Sequence, residues 1–316
     1  MVEFGYARTK RMARIHEQKV LEGDGMLYTI ENDFLTVSVS DIGAEMQSIR
    51  SKDGIEYLWQ GDATYWDERA LNIFPYVARL TDGIYEMDGK QYHLPIHGFA
   101  PKATFACKEQ LPQRLVMELQ DNPEIYKQYP RHFSFSIIYQ LQESNLLITY
   151  RVENRDTKTM YFGIGGHPGF NVPLENGLSF DDYQLRFKDA CEPRRIEFSK
   201  DCFLTGITKA FTLQNGNVIP LQHAIFDQDA IVLQDMAREV TLESPKGKHG
   251  ITVSFPQMQY VGFWHWPKTD APYVCIEPWC SLPATQDKMT VMEQQPDLIK
   301  LESGQIYQNN WSIHCF

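Results

Sequence analysis

The sequence predicts an all-β sandwich, and three observations carry this prediction. Short runs rich in Val, Ile, Thr, Tyr and Phe recur along the chain, for example at 27–30, 34–40 and 133–142. Gly, Pro, Asn and Asp interrupt these runs, as the turns of sandwich folds require. Helical periodicity is confined to 62–70 and 121–129. We therefore expect a large β-sandwich with few short helices.

Each predicted strand follows from local alternation and from the turn signals beside it. The turn Glu31–Asn32–Asp33 separates the first two runs, and Lys52–Asp53–Gly54 ends the third. The predicted strands are, in order, 27–30, 34–40, 43–50, 85–87, 90–94, 114–119, 133–142, 146–153, 159–165, 230–234, 238–243, 250–255, 260–265 and 272–277.

The chain organisation favours one domain. Strand spacing is even over 26–316, and no Gly/Ser-rich or Pro-rich linker divides this range. No repeat of about 20–50 residues is present, which disfavours a propeller or a solenoid. Residues 1–25 are basic and then polar, and we expect them to form an N-terminal extension or a short helix. The prediction is a single sandwich domain over 26–316.

Composition and charge restrict the classes of partner. Thirty Lys and Arg against 41 Asp and Glu give a net charge of −11. An acidic surface repels phosphate backbones and anionic lipids, so nucleic acids and membranes are poor partners. No stretch reaches the ~18 apolar residues of a membrane helix, and no signal peptide is evident. Six cysteines are too few for a disulfide scaffold, so we expect free thiols in a cytoplasmic protein.

The glycine-rich segment 162–170 superficially suggests a dinucleotide-binding loop. Its spacing is G-x-G-G-x-x-G, and Pro168 and Pro173 prevent the helix whose N-terminus would hold a pyrophosphate. We therefore reject a nucleotide site. The segment is instead predicted to be a strand that ends in glycines and presents His167 on a tight, open turn, where the histidine is either structural or catalytic.

Two further histidines, His93 and His97, are four residues apart, a spacing that metalloproteases use on a helix. Pro95 lies between them, so they do not share a helical face. On a strand, positions four apart do share a side, which leaves a metal pair open. Because a turn, Gly98–Pro101, follows His97, we expect this histidine at the end of a strand.

Acidic and basic residues embedded in apolar runs are the other candidates. Glu277 follows the apolar run 273–276 and precedes Pro278 and Trp279. Burial raises the pKa of such a carboxylate toward neutrality, which suits a general base, unless the side chain faces solvent at the strand end. Arg79 and Asp229 also lie beside apolar residues and need partners, either in a binding site or in structural ion pairs.

Five segments stand in one order along the chain, over about residues 27–313. They are Asn72–Arg79, Ile96–Ala100, Gly166–Phe170, Asp229–Ile231 and Cys275–Trp279. Together they resemble the aldose 1-epimerase (galactose mutarotase) family, and most of all its bacterial mutarotase-related branch.

This resemblance implies a β-supersandwich that interconverts the anomers of an aldohexose without cofactor or metal. It implies that Glu277 is the general base and His167 the general acid, and that His97, Arg79 and Asp229 bind the sugar. The protein is then expected to be a monomer or a homodimer. Many relatives, phosphosugar epimerases among them, carry Arg where this chain has Pro101, which predicts a preference for unphosphorylated sugars.

Three alternatives stay open. In the first the chain is a hexose-6-phosphate 1-epimerase, and in the second it is a non-catalytic sugar-binding or sensing protein. In the third it is a metalloprotein with His97, His167 and Glu277 as a two-histidine, one-carboxylate site. The acid–base mechanism makes a geometric prediction that separates these readings. Glu277 and His167 should converge in one cleft at about 4–8 Å, so that each reaches its own sugar oxygen.

Overall fold

The computed structural model describes residues 25–316, which leaves the predicted N-terminal extension outside the described residues except for Gly25. The described chain is mostly β-strand, and the predicted fold class is confirmed. The first twelve strands are β1 (Leu27–Glu31), β2 (Leu35–Ser40), β3 (Met46–Ser51), β4 (Ala70–Ile73), β5 (Ile84–Met87), β6 (Lys90–His93), β7 (Ala106–Leu111), β8 (Arg114–Gln120), β9 (Phe133–Gln142), β10 (Asn145–Asn154), β11 (Met160–Phe162) and β12 (Gly165–Asn171).

The second half of the chain forms the remaining strands described. They are β13 (Gln184–Phe187), β14 (Arg194–Phe198), β15 (Leu204–Ala210), β16 (Val218–Pro220), β17 (Ile231–Gln234), β18 (Glu239–Glu243), β19 (Gly250–Ser254), β20 (Tyr260–Trp264), β21 (Tyr273–Trp279), β22 (Thr290–Val291), β23 (Ile299–Leu301) and β24 (Ile306–Cys315).

Helical structure within 25–316 is limited to one α-helix, α1 (Pro123–Gln128), and short 3-10 turns. The helix lies within the predicted segment 121–129. Its N-cap is Asn122, whose side chain accepts hydrogen bonds from the amides of Glu124 and Ile125 at 2.9 and 3.0 Å. The predicted helix at 62–70 is wrong. The Asp62 carboxylate accepts the amide N–H of Thr64 at 2.8 Å, and its carbonyl oxygen accepts those of Tyr65 and Trp66 at 2.9 Å, but this single turn does not continue as a helix.

Two large sheets form the sandwich. The nine-stranded sheet has the order β16-β13-β18-β19-β24-β10-β9-β8-β7, and the seven-stranded sheet has the order β15-β14-β17-β20-β21-β12-β4. They face each other across the core. Tyr150 on β10 donates its hydroxyl proton to Oδ1 of Asn72 on β4 at 2.8 Å. A Cβ added to Gly166 on β12 would lie 2.8 Å from the indole of Trp311 on β24, so glycine permits this close approach.

Strand alternation places different side chains on the two faces of the seven-stranded sheet. Gly166 and Ile276 face the core between the sheets. Their neighbours His167 and Glu277 therefore point to the outer face, because successive side chains of a strand alternate. The candidate site lies on this outer face.

Two simpler findings complete the description of residues 25–316. All six cysteines are free, as the sequence predicts. None of the helices in this range has the length and apolar character needed to cross a membrane.

Candidate active site

A cavity of about 840 Å³ opens on the outer face of the seven-stranded sheet. All five residues predicted for the site line it. Glu277 and His167 come from β21 and β12, whereas Arg79, His97 and Asp229 come from loops at its edges. The fold thus brings together residues that are far apart in the sequence.

Glu277 and His167 are cross-strand neighbours. The antiparallel register pairs Gly165 with Trp279 and Gly169 with Cys275, which sets His167 opposite Glu277. Cross-strand side chains on one face contact each other, since their Cβ atoms lie about 4.5–5.5 Å apart. Nε2 of His167 lies 3.2 Å from Oε2 of Glu277, so the predicted separation was too long. The predicted turn at His167 is also wrong, because this residue lies inside β12.

Both members of the pair are buried at the wall of the cavity, with side chains 10% and 2% exposed. Burial raises the pKa of Glu277 well above its usual range, and the Asp229 carboxylate adds to the rise. Burial lowers the pKa of His167 well below its usual range, and His97 adds to the fall. Both shifts favour the uncharged forms, so the pair holds one proton, which transfer across the contact moves between Glu277 and His167.

His97 approaches the pair from the loop after β6. Its ring lies 5.3 Å from that of His167 and almost perpendicular to it, at 85°. Nδ1 of His97 accepts the backbone N–H of Ala78 at 3.3 Å. Burial, together with the charge of Arg79, lowers the pKa of His97 to about 4. The ring is therefore neutral, and its proton lies on Nε2, which makes that nitrogen a hydrogen-bond donor.

Close contacts between backbone segments fix the position of His97. His97 has φ +65°, a left-handed backbone conformation that residues other than glycine rarely adopt. Its amide donates to the carbonyl oxygen of Ala78 at 2.8 Å. The next residue, Gly98, has no room for a Cβ, which would collide with the carbonyl oxygen of Phe74. By contrast His93 is exposed on β6 and does not line the cavity that His97 enters.

Comparison with known protein families covers nearly all of the described chain. The family model described as aldose 1-epimerase matches residues 26–314. This chain belongs to the aldose 1-epimerase family. The resemblance carried by the five segments is thereby confirmed.

Individual relatives are similar to this chain over most of their length. The chromosomal LacX protein of Lactococcus lactis subsp. lactis is 30% identical over 285 residues, which cover 87% of this chain and 95% of LacX. The galactose mutarotase related enzyme of Lactobacillus acidophilus is 33% identical, with a TM-score of 0.88 over 92% of this chain and 97% of that one. A galactose mutarotase-like protein of Lactobacillus casei is 29% identical, with a TM-score of 0.87 over 92% and 100%.

In this member of the aldose 1-epimerase family, aromatic rings line the cavity beside His167, and the sequence analysis did not identify which residues supply them. The ring of Trp66 lies 5.0 Å from that of His167, the ring of Trp264 lies 5.7 Å from it, and the two indoles are 5.6 Å apart. Trp66 also packs on Tyr273 at 5.8 Å. Trp66 stands in the segment mistaken for a helix, and no local pattern distinguishes it from the core aromatics of a sandwich.

The donor set at the pair also bears on the metal hypothesis. His167, Cys275 and Glu277 have ligand atoms within 4.8 Å of one another, and within 25–316 no other group of three or more is this close. His97 is outside this group, so the predicted triad with two histidines is not formed by the described residues. Burial and the Glu277 charge raise the pKa of Cys275 well above its usual range. A protonated thiol is a poor metal ligand, and the set suits proton transfer better.

Proposed function

We propose that this protein interconverts the α and β anomers of an unphosphorylated aldose by general acid–base catalysis. The observation that carries the proposal is the 3.2 Å contact between His167 and Glu277 at the wall of a cavity large enough for a small ligand. An acid and a base that share one proton are the only reactive groups that this isomerisation needs.

The reaction balances on the proton of this pair. With the proton on His167, Glu277 removes the proton of the anomeric hydroxyl while His167 protonates the ring oxygen. The bond between the anomeric carbon and the ring oxygen breaks, and the anomeric carbon becomes an aldehyde. Rotation of the carbonyl and closure by the reverse transfers give the other anomer. The pair ends with the one proton it had at the start.

The other predicted residues are assigned to binding. Nε2–H of neutral His97 is a donor suited to a sugar oxygen, and Arg79 and Asp229 provide a donor and an acceptor for hydroxyls that do not react. Trp66 and Trp264 offer apolar faces next to His167 against which a sugar ring can pack. This division leaves one reactive pair and several positioning contacts.

The charges of the cavity wall favour a neutral sugar over a phosphosugar. Its permanent cations, Arg79 and Lys102, are accompanied by three carboxylates, those of Glu68, Asp229 and Glu277. The ammonium of Lys102 is already paired with Glu68. A phosphate binds best to clustered arginines in bidentate geometry or to a helix N-terminus, and Arg79 is the single arginine that the described residues contribute to the wall. Pro101, which also lines the cavity, offers neither.

The proposal is tested by measuring anomer exchange, by polarimetry from the pure α anomer and by NMR exchange at equilibrium. The panel is D-glucose, D-galactose and the 6-phosphate of each. We expect acceleration above the spontaneous rate with at least one free sugar and a lower kcat/KM for its 6-phosphate. Sugar binding without acceleration would instead support a non-catalytic sugar-binding protein. A higher kcat/KM for the phosphates would overturn the assignment of an unphosphorylated substrate.

A further inference from the structure

The turn that connects β14 to β15, Ser199–Phe203, reaches the edge of the cavity. Backbone hydrogen bonds close it, from the amide of Ser199 to the carbonyl oxygen of Phe203 at 2.8 Å and from Cys202 to Ser199 at 3.0 Å. The hydroxyl oxygen of Ser199 accepts the amides of Asp201 and Phe203 at 3.3 and 3.2 Å. These bonds organise the turn without help from the rest of the cavity wall.

Two atoms of this 199–203 turn contact the two groups assigned to sugar hydroxyls. The thiol of Cys202 donates to Oδ2 of Asp229 at 3.1 Å. The carbonyl oxygen of Asp201 accepts Nη1–H of Arg79 at 3.3 Å. Among residues 25–316 this is the one hydrogen bond that the guanidinium makes, and no carboxylate of that range lies within ion-pair distance of it. The turn therefore links Arg79 to Asp229, although the two are far apart in the sequence.

The carboxylate of Asp229 is oriented through both oxygens. Oδ1 accepts the amide of the next residue, Ala230, at 2.8 Å, and Oδ2 accepts the thiol. Asp229 and Cys202 both have left-handed backbones, with φ +73° and +61°. Non-glycine residues rarely hold this conformation unless the surrounding structure imposes it, and such residues cluster at functional sites.

A thiol is suited to this contact because it orients the carboxylate without saturating it. A thiol is a weak donor, and a carboxylate has about four acceptor sites, so Asp229 retains sites for a ligand. Burial, followed by the hydrogen bond to Asp229, raises the pKa of Cys202 to about 11. The sulfur thus remains protonated, and a donor, throughout the neutral range.

We propose that Cys202 is a positioning residue for sugar recognition and that the 199–203 turn sets the spacing of Arg79 and Asp229. The chemical consequence is selectivity for the arrangement of the non-reacting hydroxyls of an aldose. Cys202 takes no part in proton transfer. This inference rests on the proposed function, because it assigns Asp229 and Arg79 to the hydroxyls of a bound sugar.

The test compares Cys202→Ala, which removes the donor, with Cys202→Ser, which keeps one. Loss of an orienting hydrogen bond to a charged group predicts a KM about tenfold higher for Cys202→Ala, with kcat within about twofold of the wild type. Cys202→Ser should keep KM within about threefold, and the kcat/KM ratio of D-glucose to D-galactose should change in Cys202→Ala only. The matched control is Cys191→Ala, since Cys191 is half-buried outside the cavity wall.

The outcomes separate this inference from a structural role and from the proposed function. A merely structural role would lower Tm and the amount of active enzyme while leaving KM and the sugar ratio unchanged, and that result would overturn the inference. Equal KM values for Cys202→Ala and Cys202→Ser would overturn it as well. A wild type that exchanges no anomers would overturn the proposed function. In that case, calorimetry with D-glucose and D-galactose would give the Kd of each variant for each sugar. A Kd of Cys202→Ala equal to that of the wild type would overturn the inference.

Discussion

Glu277 has a histidine on one neighbouring strand and a glycine on the other. The register of β20 and β21 pairs Gly262 with Glu277, just as that of β12 and β21 sets His167 opposite it. The space above Gly262 is covered by the indole of Trp279, whose ring would contact a Cβ there at 3.4 Å. With His167 as its sole ionisable cross-strand neighbour, the buried carboxylate forms one specific pair, and the predictions below depend on that pair.

Removing either member should abolish proton transfer and spare binding. Glu277→Gln keeps the shape and hydrogen-bonding capacity of the side chain but cannot act as a base, and His167→Asn removes the acid. We expect kcat to fall by ~10²–10⁴-fold in each, with sugar affinity largely retained. Glu124→Gln on the exposed side of α1 is the control for the chemical change alone. Near-wild-type turnover in either site variant, in protein with an unchanged Tm, would contradict the assignment.

Arg79→Ala should act on affinity rather than on turnover. The guanidinium is assigned to hydroxyls that do not react, so its loss weakens the ground state and the transition state alike. We expect KM to rise about tenfold and kcat to change little, measured with the panel sugar that exchanges fastest. A fall in kcat at constant KM would instead place Arg79 in the chemical step.

The pH profile should be a broad plateau around neutrality. Activity needs one proton on the pair and is lost in acid, when a second proton leaves a charged His167 beside a neutral, protonated Glu277 that can no longer act as a base. Because burial lowers the pKa of His167 below its usual 6.5, we expect the acidic limb below pH 6.5. Because burial raises the pKa of Glu277 above its usual 4.5, the proton of the pair is retained further into the alkaline range.

This profile is measured as enzymatic exchange rate against pH, after subtraction of the spontaneous rate, which itself varies with acid and base. The free sugars of the panel carry no group that titrates in the neutral range, so the limbs report the protein. An acidic limb centred above pH 7 would show that the pair takes up its second proton above the usual pKa of a histidine, contrary to the effect of burial.

Metal removal should leave activity unchanged. The donor set next to Glu277 includes Cys275, a buried thiol whose raised pKa keeps it protonated. We expect dialysis against EDTA to leave the anomer exchange rate within about twofold of the untreated enzyme, with metal content followed by elemental analysis. Stoichiometric iron, zinc or manganese in the active protein, lost together with activity, would favour a metal-dependent mechanism instead.

Some strands were predictable and others were missed, for reasons that lie in their sequences. The predicted runs at 133–142 and 146–153 became β9 and β10, because they are long and alternate clearly. The sequence predicts a turn in place of β12, because three of the seven residues of this strand, Gly165–Asn171, are glycine and one is proline. Pairing with strands on both sides imposes an extended backbone that these residues do not favour by themselves.

The candidate site was predictable as a set of residues that converge in one cleft, but its individual contacts were not. The order of the five segments along the chain indicated the family and named Arg79, His97, His167, Asp229 and Glu277. Neither alternation nor spacing indicated that Trp66 would pack beside His167 or that Cys202 would hold Asp229. Such contacts join distant segments, and local sequence patterns carry no information about them.

The sequence by itself determined the alternation that makes strands, the apolar content of the core and the identity of the chemical groups on the candidate site. Only the tertiary structure decided that β12 and β21 are neighbours in the register that sets His167 against Glu277. That register is fixed by the packing of Gly166 and Ile276 into the core, since a shift by one residue would turn the whole site inward. The shared proton, and with it the proposed chemistry, is therefore a property of the folded sheet rather than of either residue.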